Sequence, residues 1–395
     1  MNNLPPIPQI EIDRRYQNLR AGMAEDRLDA LLVCGNQYSG FEGAVRYVSG
    51  FEIVHRYAYV LLPLDADPVL VFPAEARWIG DKKKPWIREQ VWPDLPGRWI
   101  RELATKKKWK RLGVYGADFI LAVRDYRELA QGPFELVPWD FRFDMTRAVK
   151  SEWELIHVRQ SMDVILDGFQ ALLRAYEPGR TEAEIMAPAV ERFFAGGAGP
   201  RMMNILLSGS QGEAEAHFKV PGDRVVQADD LVLYSLEITG FEGYWVEFSR
   251  ALIRGRASSR TLAMKSAYPE AMEAARLLMR EGEPASNVHR AVADTFGRYG
   301  FHLGHLSGHS IGLTMIEHPA IGARTQVELK ENMILSLHPQ VVDQEGQVCL
   351  YTQDTFRVGK KEGENLADVP WKFYRGGEEV LSSAAVKATV LSQPS

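Results

Sequence analysis

The sequence predicts an α/β amino-terminal domain followed by an α+β carboxy-terminal domain, and three observations carry that prediction. Short apolar runs alternate with helically spaced segments through roughly the first 140 residues. A serine-capped amphipathic helix of about 25 residues then opens at Ser151. Beyond Arg201, strand-like runs come in two groups with a pair of helices between them.

In the first domain, residues 12–27 have helical spacing and residues 28–34 form an apolar run closed by Gly35, as in a helix feeding a buried strand. Further strand-like runs lie at 57–62, 68–72 and 112–115, with helical segments at 99–107 and 124–129. That alternation predicts a mixed sheet. Residues 141–151 mark the boundary, which divides the chain into domains at 1–148 and 149–395.

Ser151-Glu-Trp-Glu154 fits a capping box, in which the serine hydroxyl and the glutamate satisfy each other's free amides in the first helical turn. Leu155, Val158, Met162, Ile165, Phe169, Leu172 and Tyr176 then recur at helical spacing until Pro178-Gly179 ends the helix. A second box, Thr181-Glu-Ala-Glu184, opens a helix running to Phe194. Strands are expected at 231–235 and 244–253, helices at 259–280 and 285–299 with Pro269 as a kink, and strands again at 333–337, 347–352 and 355–358.

Composition narrows the function classes. The chain has 395 residues, 46% apolar and 25% charged, which is ordinary for a globular protein with a sizeable core. A formal charge of −5 gives no reason to expect nucleic acid or membrane as a partner, and the basic runs 82–84 and 106–111 read as solvated surface. Cys34 and Cys349, both in apolar runs, predict no disulfide framework. With no signal-peptide pattern at the start and no apolar run of membrane-spanning length, a cytoplasmic protein is expected.

Five of the nine histidines lie between His302 and His338. They alternate with Glu317 and apolar residues and are followed by Gln353 and Asp354, a pattern that points to one shared cavity. Tyr244, Trp245, Phe218 and Tyr351 are candidates for its aromatic walls.

Several stretches, taken in order and spacing, resemble the creatinase and aminopeptidase P superfamily, which includes proline dipeptidases and methionine aminopeptidases. They are residues 15–32 with Tyr47-Val-Ser-Gly-Phe51, Arg147-Ala-Val-Lys150-Ser-Glu152, Ser208-Gly-Ser210 with His217, Gly243-Tyr244-Trp-Val-Glu247-Phe-Ser-Arg250, and Gly308-His309-Ser-Ile-Gly312 with Glu317 and Pro319. The resemblance implies a small creatinase-like first domain and a second domain of the pita-bread fold.

Peptidases of that superfamily bind two metal ions through two aspartates, one histidine and two glutamates. Carried over, the first aspartate falls at Ser235 or Leu236, Glu247 takes the place of the second, His309 matches the histidine, and His338 and Gln353 replace the glutamates. This implies that the two-metal site is absent. The leading expectation is then a metal-independent hydrolase of creatinase type, with no cofactor, that cleaves a C–N bond of a small amide or amidino compound. His217 would act as general base and then acid, with Glu247, His309 and His338 orienting and polarising the substrate. Tyr244, Arg250, Glu317, Gln353 and Asp354 would bind substrate, joined by Arg56 from a first-domain specificity element, and the resemblance implies a homodimer.

Two alternatives stay open. One is a metal-dependent peptidase of Xaa-Pro type, or a lyase, with a single ion held by Glu247, His309 and His338 and with Asp354 as a further candidate ligand. The other is a binding protein that has kept the pocket and lost the chemistry. Plainer roles are also open: Glu247 as the ion-pair partner of Arg250, and Glu317-His318 as an ordinary turn. Glu237 is the weakest candidate for the site, and His302 and His305 are left out of it.

Overall fold

The protein is described by a computed structural model covering residues 6–199, 201–210, 218–346 and 349–380. His217, the expected proton shuttle, lies outside the described residues. The chain divides into two compact units. Of the described residues, one unit holds 6–148 together with Leu313–His318, and the other holds those of 149–312 and 319–380.

The first unit runs α1 (Gln9–Glu25), β1 (Ala30–Asn36), α2 (Gly43–Ser49), β2 (Tyr57–Pro63), β3 (Val69–Val71), β4 (Glu89–Val91), α3 (Pro96–Lys107), β5 (Arg111–Tyr115), α4 (Val123–Leu129), β6 (Glu135–Pro138) and α5 (Asp140–Arg147). Its sheet has the order β4-β3-β2-β1-β5-β6. β1 pairs antiparallel with β2 and parallel with β5, so the sheet is mixed, as the alternation of runs predicts. The apolar run of β1 is buried on both faces, which is why it reads as continuous rather than alternating.

Two features of this unit differ from the expectation. The stretch read as a boundary contains helix α5, which buries Phe143 and Arg147 and keeps Asp140 in its first turn. The unit also takes in Leu313–His318 from far along the chain. A Cβ on Gly43 would lie 1.7 Å from the carbonyl oxygen of Leu313, so only glycine lets α2 approach that segment so closely.

The second unit opens with α6 (Glu152–Ala175) and α7 (Glu182–Ala195), and both expected capping boxes are formed, at Ser151/Glu154 and Thr181/Glu184. Then come β7 (Met202–Ser210), β8 (Asp230–Thr239), β9 (Trp245–Phe248), α8 (Ser259–Leu278), α9 (Ala285–Arg298), β10 (His302–Leu303), β11 (Gly308–Ser310), β12 (Glu317–Ile321), β13 (Ile334–Leu337), β14 (Gln340–Val342), β15 (Cys349–Tyr351), β16 (Asp354–Arg357) and β17 (Glu364–Asn365). They form sheets of order β7-β8-β9, β10-β14-β15 and β12-β11-β13-β16-β17. Pro269 lies inside α8.

The strand expected at 244–253 is shorter than its apolar pattern. It leaves the β8 ladder after Phe248, and Ser249 bridges to Gln353 instead, its amide donating to the Gln353 carbonyl at 3.0 Å. This departure brings the residues before β16 against the β8–β9 hairpin. Among the described residues, no helix is long and apolar enough to cross a membrane.

Candidate active site

The β8–β9 register places Glu237 opposite Glu247 and Leu236 opposite Phe248. Side chains alternate along a strand, so Ser235 and Glu237 share the face that Glu247 occupies, while Leu236 points away. Of the two sequence positions considered for the first aspartate, only Ser235 is on the site face. Glu237, the weakest candidate from sequence, is at its centre. The signal that could have promoted it is a carboxylate two residues from Ser235, set between Leu236 and Ile238 in the apolar middle of the strand.

Gln353 and Ser336 complete this layer. Gln353 donates from Nε2 to Glu247 Oε2 at 2.5 Å and, at 3.4 Å, to Glu237 Oε1. Ser336, on β13, donates to the same Oε2 of Glu247. Ser235 Oγ is 2.6 Å from Glu237 Oε1 and 2.5 Å from Gln353 Oε1. One hydroxyl carries one proton and cannot donate to both oxygens, so the cluster closes only if it holds an additional proton. Glu237 is its natural seat. Burial, and then repulsion from Glu247, push the Glu237 carboxyl up to about 8, and burial pushes Glu247 up to about 7.

The imidazoles come from the neighbouring sheet. His309 on β11 is opposite Ser336 on β13, and this close pairing depends on Gly308, where a Cβ would meet the Ser336 carbonyl oxygen at 2.0 Å. Nδ1 of His309 is 3.0 Å from the Ser310 carbonyl, which can only accept, so Nδ1 carries a proton and Nε2 is the ring nitrogen left for Glu247 or a ligand. Nε2 lies 3.9 Å from Glu247 Oε1. The His338 ring is centred 5.0 Å from that of His309 and 5.4 Å from that of His305. Although His338 keeps some solvent exposure, burial and the two neighbouring imidazoles hold it well below the usual histidine range.

The outcome is three donors, one each from β9, β11 and the β13–β14 connection. One ligand atom each from Glu247, His309 and His338 lies within 4.8 Å of the others. Two imidazoles and a carboxylate make a donor set for zinc or non-haem iron. The family-type set for two ions does not fit, because Ser235 and Gln353 occupy two of its positions and are bonded to each other. A single ion does fit.

The other expected substrate contacts are placed differently. Arg250 is fully buried and spends its donors on the carbonyls of Pro370, Ser249, Gln353 and Val369 and on Asp354 at 2.9 Å. Five N–H groups are thereby used, leaving none for a ligand, and its partner is Asp354 rather than Glu247. The other Asp354 oxygen accepts from Trp371 Nε1 at 2.6 Å. Of the neighbouring pair, Gln353 therefore faces the site and Asp354 the core. Tyr244 donates its hydroxyl to Glu154 Oε1 on α6 at 2.9 Å. Glu317 pairs with Arg147 at 3.1 Å within the first unit, where exposed Arg56 lies 3.9 Å from Glu75. The aromatic wall that does form is Phe218 against Tyr351, ring centres 4.8 Å apart, with Tyr351 6.3 Å from His338.

The model of metallopeptidase family M24 matches residues 157–360, and that of the creatinase/prolidase N-terminal domain matches residues 15–149. The chain belongs to metallopeptidase family M24. A probable dipeptidase PepE from Mycobacterium tuberculosis is 30% identical over 198 residues, covering 49% of this chain and 52% of that one. The chain thus spans about half the length of this relative. A Xaa-Pro dipeptidase from Lactobacillus delbrueckii subsp. lactis is 27% identical over 319 residues, 75% of this chain and 83% of that one. Among solved structures, an X-Pro aminopeptidase from Thermotoga maritima superposes with a TM-score of 0.78 at 21% identity, covering 91% and 99% of the two chains. Dipeptidase PepE from Mycobacterium ulcerans gives 0.79 at 22%, covering 93% and 99%. These likenesses bear out the two-part fold, with its pita-bread second domain.

Membership of family M24 overturns the expectation of a metal-independent, creatinase-type enzyme. The family is one of metallopeptidases, relatives that match the chain are named dipeptidases, and the matched span contains Glu247, His309 and His338. The expectation failed because it counted the exchanges at Ser235 and Gln353 as loss of the whole metal site. The three donors that remain are close enough to share one ion. The expectation of a hydrolase acting on a C–N bond accords with the dipeptidases among the relatives.

Proposed function

We propose that the protein is a metal-dependent peptidase of the Xaa-Pro dipeptidase type, hydrolysing the amide bond of short peptides with one metal ion instead of two. The observation that carries this reading is the convergence of Glu247, His309 and His338 donor atoms within 4.8 Å, inside the metallopeptidase span. An ion bound there supplies Lewis-acid polarisation of the scissile carbonyl and activation of water.

The chain's own residues do the rest. Ser336 and Gln353 both anchor Oε2 of Glu247, which leaves Oε1 on the His309 side. The Ser310 carbonyl fixes the His309 tautomer, so Nε2 is the ligating atom. Glu237, whose carboxyl burial and then Glu247 hold above the usual carboxylate range in the metal-free protein, is the buried acid proposed to protonate a leaving amine nitrogen. Phe218 and Tyr351 wall the site beside His338 and favour an apolar substrate side chain. We read the working form as a cytoplasmic homodimer divided at residues 148/149. The superfamily resemblance and two buried, unbridged cysteines support this reading, and sedimentation tests the dimer.

The experiment is a panel of Xaa-Pro and other dipeptides, assayed with protein reconstituted in turn with zinc, iron, manganese and cobalt and then treated with chelator. Cleavage that chelation abolishes and metal restores is expected. Turnover of amidino compounds that is indifferent to chelator would count against the reading.

A further inference from the structure

The first unit contains a cavity of about 680 Å³, all of whose lining residues belong to that unit. This is the size of a small-molecule site. Its walls include Phe41, Phe119, Phe141 and Ile316, four large apolar side chains that stand exposed, Phe119 at 81%. Its floor is acidic. Asp140 and Asp144 lie four residues apart on α5 and so share one face of the helix.

Among the described residues that line the cavity, Asp118, Asp140 and Asp144 are acidic and none is a lysine or arginine. Arg147 is one guanidinium shared by two buried carboxylates, Asp144 at 2.7 Å and Glu317 at 3.1 Å. Asp140 accepts the Gly116 amide at 2.8 Å and forms no ion pair among the described residues. His318, whose ring is 5.3 Å from that of Phe141, is the one lining residue that can carry positive charge, and it acts electrostatically on Asp140. A concave, apolar-walled space with uncompensated negative charge concentrates cations and repels anions. Aromatic faces around it add attraction for an ammonium group.

We propose that this cavity binds a small organic cation: a protonated amine seated against Asp140, on an apolar body at least the size of a phenethyl group packed among Phe41, Phe119 and Phe141. The proposal is independent of the peptidase reading.

Calorimetry on the full chain at low salt tests it with phenethylamine, against 2-phenylethanol and 3-phenylpropanoate as neutral and anionic matches. The amine is expected to bind with a Kd of about 1 mM or tighter and the two controls at least roughly tenfold more weakly. Asp140→Asn keeps an acceptor for the Gly116 amide while removing the charge. Phe119→Ala trims a side chain too exposed to hold up the fold. A loss of affinity by about tenfold in either variant supports the proposal. Equal affinity for the three probes, no binding of the amine, or unchanged affinity in both variants overturns it.

Discussion

Glu237 and Glu247 face each other across the antiparallel β8–β9 pair, both buried and both linked to Gln353 Nε2. Two carboxylates so placed cannot both ionise cheaply without a cation between or beside them.

That pairing sets a pH dependence for the metal-free protein. Both folded pKa values are raised above the ordinary 4.5, to about 8 for Glu237 and about 7 for Glu247. Above 4.5 the unfolded chain releases these protons while the folded one keeps them, so stability falls as pH rises from there through about 8. Chelated protein should melt lower at pH of about 8.5 than at about 5.5, by roughly 2–4 °C for each kcal/mol lost. Glu237→Gln should flatten that slope, as differential scanning fluorimetry can read directly.

Gln353 is the neutral residue that lets the two glutamates coexist. Gln353→Glu removes its donated hydrogen bonds and adds a third carboxylate, so the metal-free variant should be destabilised by about 3 kcal/mol or more near pH 8. Divalent cations should recover that loss and raise the metal content above that of the parent. Denaturant titration with and without metal measures both effects.

The buried Arg250–Asp354 pair is structural, with both side chains wholly inaccessible. Asp354→Ala should cost about 3–5 kcal/mol of stability by stranding the guanidinium. A substrate-binding role predicts the opposite pattern, intact stability with a raised KM, so urea unfolding alongside steady-state kinetics separates the two.

How much of this was legible in the sequence depended on the range of the interaction. The capping boxes at Ser151 and Thr181 and the apolar run of β1 are local features, and each formed where expected. The glycine–histidine frame around His309 likewise lies in the candidate site. Long-range register was not legible. Nothing local says that Glu237 rather than Leu236 faces Glu247, that Gln353 turns in while Asp354 turns out, or that Leu313–His318 packs with the first unit. The first two outcomes follow from which strands pair and by how many residues they are offset, and a one-residue slip would invert both.

The ligand set itself predicts how single substitutions divide. His309→Ala should abolish metal binding and lower kcat/KM by a factor on the order of 10² or more, whereas Ser336→Ala should retain the ion with weakened affinity, by about 10–100-fold. Calorimetric titration of the chelated variants with zinc distinguishes them.

The most direct test of the account is elemental analysis of protein purified without chelator and then loaded with excess divalent metal. One ion per chain is predicted, lost in both His309→Ala and Glu247→Ala, with peptidase activity tracking occupancy. Two ions per chain, or less than about 0.1 ion with activity that survives EDTA, would contradict a single-metal centre built on Glu247, His309 and His338.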